Sequence, residues 1–331
     1  MGWTDTPLTV GSLVDSWRWD TSTVVVTVVL ALGYGWCRRR AERNGSTESP
    51  GRGWSFGVVG LGIWLLSGIS VVGVYSDTLF WVRALQILLL LYVVPFGLAA
   101  GRPVTLLRDA LGPSGRARLA RALGSAPARA LTFPLVPSIA VLATPWLLVL
   151  TPWYEAVLRH GVVDAVTRLL LVAVGFLYFY SRLQTDPVPH RYSQAVSLLV
   201  TVFESLADGV LGLVLWFGPL VAVGYYTEVG RTWGPDLRMD QIIAAGIIWV
   251  LGDVLGLPYL LTLMRSWAAD ERRNAARMDA ELDAAEQDST VRPEPAVRRP
   301  SASVAMTNAE GPVQSGLWWE NDPVLRARFR R

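Results

Sequence analysis

Lysine is absent from this chain of 331 residues, and histidine and cysteine are almost absent. The 30 basic residues are therefore all arginine, and against 27 acidic residues they leave a formal net charge of only +3. A single cysteine cannot form an internal disulfide or a multi-cysteine metal site. The arginines cluster beside apolar runs, a distribution typical of the flanks of membrane spans. We therefore expect no nucleic-acid partner.

Long apolar runs are what the chain has in abundance. Hydrophobic residues make up 52% of it, with 15 tryptophans. Several runs reach the ~20 residues needed to cross a bilayer, which excludes a soluble globular class. We predict an all-α polytopic membrane bundle, residues 1–264, followed by a charged helix and disordered cytoplasmic tail, residues 265–331. The bundle has about seven predicted spans, at residues 21–36, 54–74, 79–100, 132–153, 162–182, 195–217 and 241–264.

The arginines in short loops predict how the chain is oriented. The loops after the first and third predicted spans are rich in arginine, as is the segment after the seventh, whereas the intervening loops are sparse or balanced by acids. We therefore expect a multi-pass plasma-membrane protein with its N-terminus outside and its C-terminus in the cytoplasm. The loop 101–129 is expected to hold a basic amphipathic helix at the inner surface, with anionic membrane lipid as its partner.

Polar residues within and beside the predicted spans form the candidate network, because an unpaired charge there is costly. Arg83 and Arg168, and the carboxylates of Glu204 and Asp208, fall at overlapping depth for a rise of ~1.5 Å per residue. We expect these charges to pair inside the bundle. Two alternatives remain open: Arg83 extends to the headgroups, or the network serves packing alone. The candidate residues are Asp77, Arg83, Gln86, Arg168, Glu204, Asp208 and Asp253.

One stretch carries a family resemblance. A Ser-Asp turn at Ser76-Asp77 is followed by Gln86, by Pro95 and by GRPVTLL at 101–107. This pattern resembles the cytochrome c oxidase assembly factor CtaG family, multi-spanning membrane proteins linked to copper delivery into haem-copper oxidases. DPVPHR at 186–191, the Asp-Gln pair at 240–241 and the ending WWENDP at 318–323 are also similar to that family. The matching motif residues are Asp186, Pro187, Arg191, Asp240 and Gln241.

The membrane histidines of that family are missing here. The resemblance would place them at Arg83, Ile87, Phe133, Arg168, Leu170 and Glu204. Copper prefers imidazole, thiolate or thioether ligands. The chain has only two histidines, one cysteine and five methionines, and His160 and His190 are predicted on opposite sides of the membrane. We therefore expect no metal site and no cofactor, and interpret Arg83, Arg168 and Glu204 as an ion-pair substitute for metal ligands.

No hydrolase or transferase constellation is visible in the sequence, so we do not expect an enzyme. The resemblance implies an accessory factor for assembly of a haem-copper terminal oxidase, with oxidase subunits or other assembly factors as partners. A small-solute or ion transporter that uses the buried Arg/Asp/Glu residues is the alternative. Retained copper binding through unrecognised ligands is a third possibility.

The orientation can be tested with a reporter that is active only outside the membrane. Fused after His160 or within residues 227–235, the reporter should be active, because these loops are predicted outside. Fused after Arg121 or Arg191, it should be silent. The reverse pattern would contradict the arginine-based orientation.

Overall fold

The computed structural model describes residues 6–9, 11–46, 49–133, 135–183 and 194–251, with scattered residues between 254 and 284. Between 194 and 205 it describes the backbone and, of the side chains, only that of Phe203. The chain divides into two units, Met1–Arg273 and Asn274–Arg331. In the second unit residues 275–284 are helical and exposed. The predicted disordered tail and its two tryptophans lie outside the described residues.

Every regular element in the described part of the first unit is a helix, so the predicted all-α fold is confirmed there. The principal helices are α1 (Thr21–Arg43), α2 (Pro50–Ile69), α3 (residues 80–100), α4 (Leu135–Leu150), α5 (Trp153–Arg159), α6 (Gly161–Leu183), α7 (Gln194–Phe217) and α8 (residues 237–251). Shorter helices lie between them at Ser12–Asp15, Val71–Tyr75, Pro103–Ala110, Pro113–Leu123, Ala126–Leu131 and Val223–Val229.

Four segments of the described chain are long and apolar enough to cross a membrane: α1, α2, α6 and the run Phe80–Ala110 that contains α3. Helices α4 and α5 form a fifth candidate, a pair bent by 71°. The bend falls at Thr151 and Pro152, where the proline ring removes a backbone donor from the helical ladder. The structure describes the side chains of the predicted spans 195–217 and 241–264 only in part. The number of seven membrane spans and the orientation of the chain therefore remain predictions.

Helix α3 is the centre of the bundle. In its most apolar window 67% of the residues are buried, compared with 6% in α1. Its neighbours approach closely because glycines stand at the contacts. A Cβ added to Gly97 would collide with the backbone of α2 at Gly60, and one added to Gly175 of α6 would collide with the carbonyl of Leu91. Small residues at such crossings let helix backbones pack directly.

Helix α1 is longer than the sequence predicted and ends at Arg43 rather than at residue 36. Its last turns are held by tertiary contact, because Ala41 packs with Leu106 and Ala110 of the Pro103–Ala110 helix. The loop 101–129 is largely helical, and the Pro113–Leu123 helix buries none of its residues. Attachment of that helix to a membrane surface remains a prediction.

Candidate functional site

Three aspartates stand where helices begin. Asp20 immediately precedes α1, Asp77 lies three residues before α3, and Asp164 is in the first turn of α6. A carboxylate near a helix N-terminus is stabilised by the helix dipole and by unpaired backbone N–H groups. All three aspartates form ion pairs with arginines from α3, α6 and the N-terminal segment.

Arg83 of α3 is almost fully buried, with 3% of its surface exposed. Its guanidinium donates to Oδ1 of Asp164 at 2.8 Å and to Oε1 of Gln86 at 2.7 Å, and it pairs with Oδ1 of Asp77 at 3.4 Å. Gln86 in turn donates to the carbonyl of Ser67 at 2.7 Å and so connects the site to α2. Arg83 therefore points into the bundle, and the alternative that it extends to the headgroups is wrong.

Arg168 of α6 joins the same group of charges from the other side. Its Nη1 donates to Oδ2 of Asp20 at 2.7 Å and to the hydroxyl of Thr23 at 3.0 Å. Its Nε lies 3.1 Å from Oδ2 of Asp164, four residues earlier on the helix. One carboxylate, that of Asp164, therefore faces both buried arginines, with one oxygen directed at each.

A third arginine extends the series. Arg18 donates to Oδ2 of Asp77 at 2.8 Å and to the carbonyl of Gly73 at 2.8 Å, and its side chain is 41% exposed. Positive and negative groups alternate along the series from Arg18 to Asp20, with three of each sign, so the cluster is formally neutral. We refer to these residues as the Arg–Asp network: Arg18, Asp77, Arg83, Asp164, Arg168 and Asp20.

Asp20 shows how the network affects protonation. Burial alone would raise the pKa of its carboxyl group, but the hydrogen bond from Thr23 and the positive charge of Arg168 outweigh burial and lower that pKa to about 2. A carboxyl group with a depressed pKa stabilises the folded state above its ordinary pKa, and the stabilisation is lost as the pH falls through the lowered value. The Asp20 carboxylate is therefore charged throughout the physiological range.

Asp240 and Gln241, identified from the family motif, form a second polar cluster at the start of α8. Asp240 accepts hydrogen bonds from the backbone N–H groups of Phe80 at 3.2 Å and Trp81 at 2.9 Å, and from Arg231 at 3.1 Å. It therefore caps the first turn of α3. Gln241 accepts from the N–H of Val221 at 2.9 Å and donates to two carbonyls at the end of α7 and just after it.

The remaining predicted site residues are distributed differently. Asp208 is buried on α7, where its carboxylate accepts a hydrogen bond from Tyr92 at 3.2 Å. Among the described residues the ion pairs of Arg83 and Arg168 go to Asp20, Asp77 and Asp164, so the predicted pairing with Asp208 is wrong. The physical reason is that two side chains at the same depth along their helices are in contact only if those helices pack against each other. The side chain of Glu204, and Asp253, Asp186, Pro187 and Arg191, lie outside the described residues.

Sequence reasoning missed two of the three aspartates and one arginine as site residues. Asp164 carried a detectable signal, because it stands four residues before Arg168 on the same helical face. Arg18 and Asp20 lie in the Trp17–Asp20 segment, which the prediction assigned to the outside. Asp20 and Asp164 stand at the ends of predicted spans, where a carboxylate is also expected in a solvated loop, but the buried Arg168 holds both in the bundle.

The donor set of this site does not fit copper. Arginine carries no lone pair that could bind a metal at physiological pH. In the described part of the chain no three His, Cys, Asp or Glu side chains are grouped so that they could hold a metal ion. His160 is exposed and its ring lies 3.2 Å from the carbonyl of Ala156. His190 lies outside the described residues.

A helical bundle with several segments of membrane-spanning length and a buried charge network is typical of an integral membrane protein. The chain belongs to the cytochrome c oxidase caa3 assembly factor family, whose model matches residues 32–270. The resemblance inferred from the Ser76–Leu107 stretch is thereby confirmed. No solved structure matches the chain.

Similar proteins occur in mycobacteria. Uncharacterized proteins of Mycobacterium bovis and Mycobacterium tuberculosis are each 27% identical over 288 residues, and one of Mycobacterium leprae is 26% identical over 278 residues. The alignments cover 84%, 84% and 81% of this chain but 43%, 43% and 42% of those proteins. The chain thus spans less than half the length of the curated relatives it matches.

We expect Asp164→Asn to be strongly destabilising, because it leaves both Arg83 and Arg168 short of a counter-charge. Removal of one partner from a buried ion pair typically costs ~3–5 kcal/mol. Yield of monodisperse protein and thermal unfolding in detergent measure the effect. Glu42→Gln is the matched control: its i,i+4 pair with Arg38 is exposed, so its loss should change stability little.

Double variants test the assignment of partners. Arg168→Leu should be destabilising alone, and Asp20→Asn should recover part of the loss because it removes the unpaired carboxylate. Asp208→Asn, combined with Arg168→Leu in the same way, should recover none of it. Equal recovery by the two doubles would contradict the observed pairing.

Proposed function

We propose that the chain is a multi-pass plasma-membrane accessory factor for assembly of a haem-copper cytochrome c oxidase, and that it acts without a copper site of its own. Membership of the caa3 assembly factor family supports the first part. That family is not itself catalytic in the usual sense, and we propose no enzymatic activity for this chain. The Arg–Asp network supports the second part.

The observation that carries the proposal is the identity of the residues at two family histidine positions. Arg83 and Arg168 stand where the resemblance places membrane histidines, and both are engaged by carboxylates at 2.7–3.4 Å. Together the two ion-paired guanidinium groups join α3, α6 and the start of α1, but a guanidinium cannot serve as a ligand to copper. We infer that charge pairing has taken the place of metal coordination while the geometry of the bundle is kept.

Such a protein would contribute to assembly through contact with oxidase subunits or with other assembly factors. Its exposed surface offers extensive apolar area on α1, where residues such as Val25, Val29 and Leu32 face outward. In a bilayer these side chains meet lipid or another membrane helix, and association there depends on close packing rather than on hydrophobic burial.

Deletion of the gene in its host should lower the amount of assembled haem-copper oxidase, measured by the haem absorbance of isolated membranes. The tagged wild-type protein should restore that amount and should co-purify with oxidase subunits from native membranes. The variant His160→Ala/His190→Ala should restore it equally well, because neither histidine serves as a ligand. Unchanged oxidase content after deletion would contradict the proposed function.

The purified protein should contain copper at well below one equivalent after washing, because the buried charges pair with each other. Elemental analysis of full-length protein measures this content. Cys37→Ser provides a control for adventitious binding to the single thiol, and it should not change the copper content. Stoichiometric copper that survives washing would contradict the second part of the proposal and leave the first part standing.

The bent pair α4–α5 favours one alternative, transport of an ion or small solute. Discontinuous helices near a binding site are characteristic of many secondary transporters, in which they recur in both halves of the fold. The break at Thr151 and Pro152 is one such discontinuity in the described chain. Solute uptake by proteoliposomes that contain the purified protein would favour this alternative over the assembly role.

A further inference from the structure

An apolar cavity of about 610 Å³ lies between α1 and α6. One wall is formed by Gly33, Tyr34 and Cys37 of α1, the other by residues of α6 that include Ala173 and Phe176, and part of the lining comes from the Pro103–Ala110 helix. The hydroxyl of Tyr34 donates to the carbonyl of Gly101 at 3.1 Å, so its polar atom is satisfied within the protein. The cavity therefore presents hydrocarbon to whatever fills it.

Helix α1 is attached to the bundle at its two ends and, between them, through Tyr34, whose ring stacks on Phe56 of α2. At one end Arg168 binds Asp20 at 2.7 Å and Thr23 at 3.0 Å. At the other end Ala41 packs against the Pro103–Ala110 helix, and Asn44 donates to the carbonyl of Asp109 at 2.8 Å. Between these attachments a Cβ added to Gly33 would meet no atom within 4 Å. The space is open and its boundaries are held by defined contacts.

The volume of the cavity limits what it can hold. A transmembrane helix is ~10 Å wide and would need more than about 610 Å³ for even a few turns. A flexible hydrocarbon chain can enter from the side and bend to fit. Apolar cavities exclude water, and a volume of this size falls within the ~300–1,000 Å³ of small-molecule sites. An acyl chain is therefore the occupant that the shape favours.

The charge next to the cavity indicates the headgroup. Beyond Cys37 the last turns of α1 carry four arginines and one acid, Glu42, which pairs with Arg38 at 3.0 Å. Arg39 and Arg40 are exposed. Clusters of arginine at the end of a membrane helix attract anionic headgroups. We propose that the cavity binds one acyl chain of an anionic phospholipid whose phosphate lies against the arginines at the C-terminal end of α1.

The experiment titrates full-length protein in detergent with dioleoyl phosphatidylglycerol or dioleoyl phosphatidylcholine and counts bound lipid by native mass spectrometry. We expect phosphatidylglycerol to bind about tenfold more tightly than phosphatidylcholine, and Gly33→Leu to weaken phosphatidylglycerol binding about tenfold because the side chain fills the cavity. Gly35→Leu is the matched control on the same helix: its Cβ also meets open space, but Gly35 does not line the cavity, so binding should be unchanged.

The charge and the opposite wall are tested separately. Arg39→Gln/Arg40→Gln should abolish the preference for phosphatidylglycerol over phosphatidylcholine while chain binding persists. Ala173→Phe fills the cavity from α6 and should weaken phosphatidylglycerol binding as Gly33→Leu does. If Gly33→Leu does not fold, Ala173→Phe provides the test of cavity binding. Lipid binding that neither filling variant weakens, or equal wild-type affinity for the two lipids, would overturn the proposal.

Discussion

The carboxylate of Asp164 faces two buried arginines, and much of the bundle is arranged around that sharing. Arg83 reaches it from α3 and Arg168 from α6, and the outer members of the Arg–Asp network continue to α1 and to the N-terminal segment. Buried charges gain little net stability over apolar side chains of the same shape, but a buried charge that loses its partner is costly. In a membrane, where helices have weak hydrophobic reasons to prefer one neighbour to another, such charges specify which helices meet.

The second polar cluster complements the first. Asp240 caps α3 through the N–H groups of Phe80 and Trp81, and Tyr225 donates to the carbonyl of Asp77 at 2.9 Å. The start of the central helix is thus held by the Arg–Asp network, by Asp240 of α8 and by Tyr225 of the Val223–Val229 helix. Side chains in the first turn of α3 are therefore held in position by two sets of hydrogen bonds.

The sequence predicted the helical class and the central helix because apolar runs of membrane length and their arginine-rich flanks are strong local signals. It also identified Arg83, Gln86 and Arg168 as polar residues that need partners, and Asp240 and Gln241 as residues of the family motif. It could not predict which carboxylates would serve, because depth along a helix does not determine which helices touch. The pairing with Asp208 failed for that reason, and Asp20 was overlooked because its partner lies 148 residues away. Only Asp164, one turn before Arg168, was within reach of local reasoning.

The sequence separations within the Arg–Asp network also bear on biogenesis. A membrane protein is inserted from its N-terminus as it is synthesised, and Arg83 leaves the ribosome 81 residues before Asp164. During that interval Asp77 is the nearest counter-charge from the network that has already been made. Asp20 is likewise synthesised 148 residues before its partner Arg168. The N–H group of Phe80 gains its carboxylate acceptor only when Asp240 has been synthesised, 160 residues later. The charges of the network are therefore completely paired only after the later helices have been synthesised.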